Sequence, residues 1–203
     1  METEVMKLVI CLIIAAVCVS VIDAQFILSH ETRVSQQQFT SQIATGQWLI
    51  LYSVFIGSPG AFSKAKYSWR VSGNSVTRTT VVSQTTCQTV IANYTLGEHL
   101  DPSGAALLRE VFPGHKTELF YSQDPSKYIW MLLCRTPGPT PGSCTFGFFD
   151  LAIKDTRTNL TGDLNLVGLP WDMIAADLRA TRGLTFDNPV VQYVWTGTEC
   201  PNP

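Results

Sequence analysis

The sequence predicts an all-β fold: an eight-stranded antiparallel up-and-down β-barrel, with one C-terminal α-helix packed on the barrel and a short ninth strand. Three observations predict it. Between Thr45 and Lys154 the chain offers eight strand candidates in succession, separated by turn signals and by no clear helix-period segment. Hydrophobic spacing changes to the helical period only after Pro170. A Gly46-x-Trp48 step opens the first apolar run, where glycine permits a tight turn and an indole can plug one end of a barrel. Closure is the economical arrangement for so many consecutive strands, because it leaves no sheet edge exposed.

The first residues do not belong to that domain. Lys7 precedes an unbroken apolar run from Leu8 to Val19, followed by small residues at Ser20 and Ala24, the pattern of a secretory signal over residues 1–24. The run is short for a membrane span, and no second stretch of spanning length follows. Residues 25–203 are therefore expected as one soluble, secreted domain. The signal takes away Glu2, Glu4 and Asp23 against Lys7, so the formal charge of −2 becomes zero. A neutral chain with scattered charges carries no footprint for nucleic acid or an anionic membrane.

Four cysteines remain, Cys87, Cys134, Cys144 and Cys200, which implies two disulfides out of three connectivities. Cys134 and Cys144 flank the turn-rich Pro137-Gly138-Pro139-Thr140-Pro141-Gly142-Ser143, where a bridge across a hairpin is natural, leaving Cys87 for Cys200. No Cys/His spacing suits a metal, and no cofactor is required. Asn93-Tyr94-Thr95 and Asn159-Leu160-Thr161 are glycosylation acceptors, expected on the outer surface.

Taken in order, Phe39 leads through polar Thr40, Ser41 and Gln42 into Gly46, and the run from Trp48 to Phe55 has no polar face. Ala65, Tyr67, Trp69 and Val71 alternate with Lys66, Ser68 and Arg70. Gly73-Asn74 turns the chain into a Thr/Val-rich strand over residues 76–83, and another follows over 86–95. If Asn93 faces out, Val90, Ala92 and Tyr94 face in. Residues 105–112 read as a strand rather than a helix because the segment is short. Lys116 and Glu118 on the outside place Thr117, Leu119 and Tyr121 inside. Residues 127–134 are apolar on both faces, and Asp150 and Lys154 on the outside place Phe149, Leu151 and Ile153 inside. Trp171, Ile174, Ala175, Leu178 and Arg182 share one helical stripe, with Pro170 at its head and Gly183 as its cap. A helix this short needs the barrel wall beneath it. Residues 190–195 form the ninth strand.

Several of these positions form recognisable groups. Phe39, Gly46 and Trp48 head the first strand. Residues 120–128 carry Asp124 and Tyr128 at the turn before the seventh, and Arg157-Thr158 with Leu160 follow the eighth. Gly183-Leu184, Asp187-Asn188 and Cys200 close the chain. Together and in this order they resemble the motifs of the lipocalin family across the whole of residues 25–203. Pro125 stands where the family has tyrosine, Leu160 comes one residue early, and Leu49-Ile50 replace a common tyrosine–acid pair, so the chain resembles a divergent member.

The resemblance implies a structural role for Gly46, Trp48, Asp124, Tyr128 and Arg157, with the Arg157 guanidinium lying across the Trp48 ring at the closed end. It also implies the pairing of Cys87 with Cys200 and of Cys134 with Cys144. The inward set, Tyr52, Tyr67, Trp69, Tyr94, Leu119, Tyr121 and Phe149, then lines an apolar cavity with a few hydroxyls, suited to carrying a small hydrophobic ligand such as a pigment, retinoid, fatty acid or odorant-like molecule. The competing reading for those residues is a filled barrel. Catalysis is not expected: no catalytic residues are assigned, every remaining cysteine has a partner, and His30, His99 and His115 stand beside no nucleophile motif. The alternative is a protein-binding or inhibitory lipocalin acting through its loops. Phe55, Phe146 and Phe148, read as outward, keep a protein partner or homodimer open.

Overall fold

The computed structural model of the protein describes residues 33–57, 64–83, 86–97, 105–111, 116–137, 144–157, 166–194 and 200. Its strands are β1 (Gln47–Ile56), β2 (Lys64–Ser72), β3 (Ser75–Ser83), β4 (Cys87–Leu96), β5 (Leu107–Glu110), β6 (Thr117–Tyr121), β7 (Tyr128–Pro137), β8 (Cys144–Lys154) and β9 (Val191–Tyr193). Each of the first seven pairs antiparallel with its successor, and β8 returns to β1 from Trp48↔Lys154 to Ile56↔Gly147. The ring closes through Gln47↔Ser68 and Leu49↔Lys66 between β1 and β2, so the expected barrel is the observed one. Beyond Leu49 that edge of β1 passes to β9, which pairs at Tyr52, Ser53 and Val54. The expected signal segment, Asn159, Leu160, Trp195 and the three histidines lie outside the described residues.

Two walls of the barrel differ in depth. β4 pairs with β3 along its whole length, from Ser83↔Cys87 to Ser75↔Thr95, but with β5 only at Tyr94, Thr95 and Leu96. The β7–β8 and β8–β1 pairings are long and lie beneath the C-terminal helix.

Residues 36–43 differ from the expected polar turn. Gln36–Gln38 is a short helix (α1) and Phe39–Ile43 continues it as a π-helical turn. Its start is a capping box: Ser35 Oγ accepts from the Gln38 N–H at 3.2 Å, and Gln38 Oε1 accepts from the Ser35 N–H at 2.9 Å. The polar Thr40, Ser41 and Gln42 face outward while Phe39 and Ile43 are buried in the barrel's end.

Helix α2 (Trp171–Arg182) matches the expected span, and Gly183 ends it at φ +63°, donating its N–H to Arg179 O at 2.7 Å. Ile174 and Leu178 are fully buried against the barrel's outer wall. Asp177 is buried as well, and explains why this helix seats where it does. Its carboxylate accepts from Tyr128 Oη at 2.6 Å and Gln123 Nε2 at 2.8 Å, joining α2 to the β6–β7 turn.

The predicted disulfides are formed, Cys87–Cys200 and Cys134–Cys144. Buried Lys66 donates to Cys200 O at 2.8 Å, so the chain's end is tied to β2 as well as β4.

Candidate functional site

The hydrophobic residues divide into two clusters on opposite faces of the barrel wall. Outside, Leu119, Tyr121, Trp130, Leu132, Phe149 and Leu151 pack with Ile174 and Leu178 of α2. Trp130 stacks on Phe149 with ring centroids 4.8 Å apart and donates its indole N–H to Ile174 O at 3.1 Å. Tyr52 joins this layer, 4.8 Å from Phe186 and 5.1 Å from Tyr193.

Inside, the closed end is apolar. Trp48 is fully buried there, its N–H donated to Ile43 O at 2.8 Å, and Phe39 packs on Phe120 and Trp69. A Cβ at Gly46 would meet only the movable end of Lys154, Cε at 2.8 Å, and Trp48 Nε1 at 3.4 Å, so the close approach expected of this glycine is a mild one. Halfway along the barrel the interior turns polar. The Arg78 guanidinium pairs with Glu118 and lies 5.2 Å from the Tyr67 ring and 5.3 Å from the Tyr94 ring. Burial works against the Arg78 charge, yet Glu118 and the two tyrosines hold its pKa above the usual value. Burial likewise raises the Tyr67 and Tyr94 phenols. Ser53 donates to Asp150 across β1–β8, and both side chains face the interior.

Above this belt the barrel is open. A cavity of about 390 Å³ has Tyr67, Arg78 and Asp150 among its lining residues, with Ala65, Val82, Leu133 and Phe148 on its walls. Exposed Gln88, Val90 and Arg135 form its rim, Arg135 with its guanidinium 4.9 Å from the Phe148 ring.

Of the expected inward set, the structure places Tyr67, Trp69 and Tyr94 inside, with Tyr67 on the cavity itself. Tyr52, Leu119, Tyr121 and Phe149 are instead on the outer face. Glu118 and Asp150, expected to face water, are 0% and 3% exposed in the interior. The reason is the cover: α2 and the segment after it make the outside of β6, β7 and β8 apolar, which sends the alternate residues inward. Phe55 and Phe148 need the same correction, for Phe148 lines the cavity and Phe55 packs on it at 4.6 Å, while Phe146 lies where the β7–β8 register shifts. A sequence signal for this inversion was available. β7 is apolar on both faces, so the helix stripe had a wall to cover, and an interior of mixed polarity was the remaining place for the charges.

The expected structural residues sit as follows. Asp124 caps the β6–β7 turn, accepting from the Ser126 N–H at 3.3 Å, and Tyr128 holds Asp177. Arg157 forms a fork with Asp155 at 2.9 and 3.0 Å; burial alone raises that carboxyl, but the fork holds it below the usual range. The cation–π pairs among the described residues belong to Arg78 and Arg135. Asn93 is exposed on β4, its side chain accepting from Thr77 Oγ1 at 3.1 Å. No group of His, Cys, Asp and Glu among the described residues is arranged to hold a metal, and no helix there is long and apolar enough to cross a membrane.

No protein-family model matches the chain, and no curated protein matches it. Among solved structures, the chain is similar to lobster apocrustacyanin A1, with a TM-score of 0.49 and 11% identity over 87% of this chain and 94% of that one.

Proposed function

We propose that the protein is a secreted, lipocalin-type carrier that holds a small, largely hydrophobic molecule in the open half of its barrel and performs no chemistry on it. The observation that carries this reading is the cavity. Its 390 Å³ falls in the range of small-molecule sites, and apolar and aromatic walls at Ile50, Ala65, Tyr67, Val82, Leu133 and Phe148 alternate with polar groups at both the inner end and the rim. The order of motifs along the sequence, the pairing of Cys87 with Cys200 and of Cys134 with Cys144, and the expected signal segment support the same reading. Those disulfides leave none of the four cysteines as a thiol nucleophile. The loop-binding alternative loses its motive, because Phe55 and Phe148 pack on each other at the cavity side.

Native mass spectrometry of secreted material, followed by solvent extraction, is expected to find one co-purified small molecule per chain. Ala65→Phe fills the cavity without adding charge and should weaken a retained ligand at least tenfold. Failure to detect a ligand, together with no binding from a broad panel of retinoids, fatty acids, bilins, carotenoids and small amphiphiles, would overturn the carrier reading.

A further inference from the structure

The charges inside the barrel do not all cancel. Arg78 pairs with Glu118, and Lys116 Nζ lies 3.2 Å from Glu110 Oε1. Asp150 has no such cation. Its hydrogen bond comes from Ser53, and its second carboxylate oxygen has no partner among the described residues. It is 3% exposed and lines the cavity. Thr80, opposite Tyr67 across β2–β3, lines the same cavity, is 6% exposed, and its hydroxyl has no partner among the described residues. A carboxyl and a hydroxyl thus line one space, walled by the Tyr67 and Phe148 rings. Buried polar groups in this state are costly until something satisfies them.

Resting on the carrier reading, we infer that the cavity's ligand bears a protonated amine on an apolar body, with the ammonium seated at Asp150 and the body directed towards Phe148 and the mouth. An ammonium presents donors and one positive charge, which complements a carboxylate whose other hydrogen bond comes from Ser53. A carboxylate ligand suits the inner end less: Arg78 already serves Glu118, Lys116 serves Glu110, Arg135 stands at the exposed rim over Phe148, and Asp150 would repel it.

The site should respond to pH. Burial pushes the Asp150 carboxyl up to about 7; the Ser53 hydrogen bond, Arg78 and Arg135 oppose that, while Glu118 adds to it. Tyr67 faces it from β2, and the Lys116–Glu110 pair stands across the barrel. An ammonium binds the ionised form, so binding strengthens as pH rises through about 7 and weakens below it.

The test is calorimetric titration of the mature protein with two probes of matched shape, 2-phenylethylammonium and 2-phenylethanol. At pH 8 the ammonium is expected to bind at least tenfold more tightly than the alcohol. Its affinity should fall about tenfold for each pH unit below 7. Titration across about pH 5–8 in buffers of different ionisation enthalpy should show proton release on ammonium binding where Asp150 titrates, and none for the alcohol. In Asp150→Asn the preference for the ammonium should vanish. The proton count in the wild-type protein decides the matter if that variant does not fold. Equal binding of the two probes, tighter binding of 3-phenylpropionate, or no proton release would overturn the amine assignment while leaving the carrier reading intact. The same holds if neither probe binds but apolar ligands do. Absence of binding by every compound sinks both.

Discussion

The two faces of the barrel wall on β6, β7 and β8 carry opposite chemistry. Outside, Trp130, Phe149, Leu132 and Tyr121 pack in a solid layer beneath α2. Inside, the same strands contribute Glu118, Arg135 and Asp150 to a polar belt and an open cavity. The outer layer is where burial stabilises the fold. The inner layer is under-packed and holds charges away from water, which costs stability and provides a place for a ligand. The helix makes this division possible by lending the barrel a core outside its own wall.

The largest effect that separates the faces should come from Trp130→Ala. It removes a fully buried ring from the outer layer, together with the hydrogen bond to Ile174 O, and is expected to cost roughly 3–5 kcal/mol in urea denaturation. A loss under about 1 kcal/mol would mean that the outer layer is not the stabilising core.

A middle-sized effect concerns two carboxylates. Asp150 has its pKa raised by burial from 3.8 to about 7 in the fold. The folded protein therefore holds a proton that the unfolded chain releases, so this group's contribution to stability is present below about pH 4 and is lost as pH rises to about 7. Asp150→Asn should stabilise the ligand-free protein at pH 8 by a few kcal/mol and flatten that decline. Asp155 has the opposite sign: held low by Arg157, it supports the fold above the ordinary carboxylate pKa and ceases to as acid protonates it. Asp155→Asn should destabilise at pH 8. If both substitutions move stability in the same direction, the contrast between the two environments is wrong.

The smallest effect is expected at the cavity wall. Val82→Ala removes two methyl groups that face open space and should cost under about 1 kcal/mol. A larger loss would show the cavity to be packed.

Most of the architecture was legible in the sequence. Eight strand-like runs bounded by turn signals, the helical stripe over 171–182 and the cysteine arrangement each map onto one observed feature. The site was legible only where the solvent-facing side was correctly known. Exposed Asn93 places Val90 and Tyr94 inward, and the structure agrees. The same reasoning from Glu118 and Asp150 gives the wrong side, because their charge faces a cavity and not bulk water. Alternation says which residues share a face, but not which face is wet. The stretch around Ser35 failed differently. Ser35-Gln36-Gln37-Gln38 spells a capping box, yet eight residues of helix are too short to show a period.

The partial wall beside β4 has a consequence in time. Asn93 O faces the β5 side, where it accepts from the Val111 N–H at 2.9 Å. Backbone groups alternate along a strand, so the Thr89 and Ile91 amides point the same way as Asn93, where no strand among the described residues reaches them, and those of Gln88, Val90 and Ala92 point at β3. One strand thus carries two clocks. In deuterated solvent the odd-numbered amides should exchange early, whereas the even-numbered ones wait for β3 and β4 to separate.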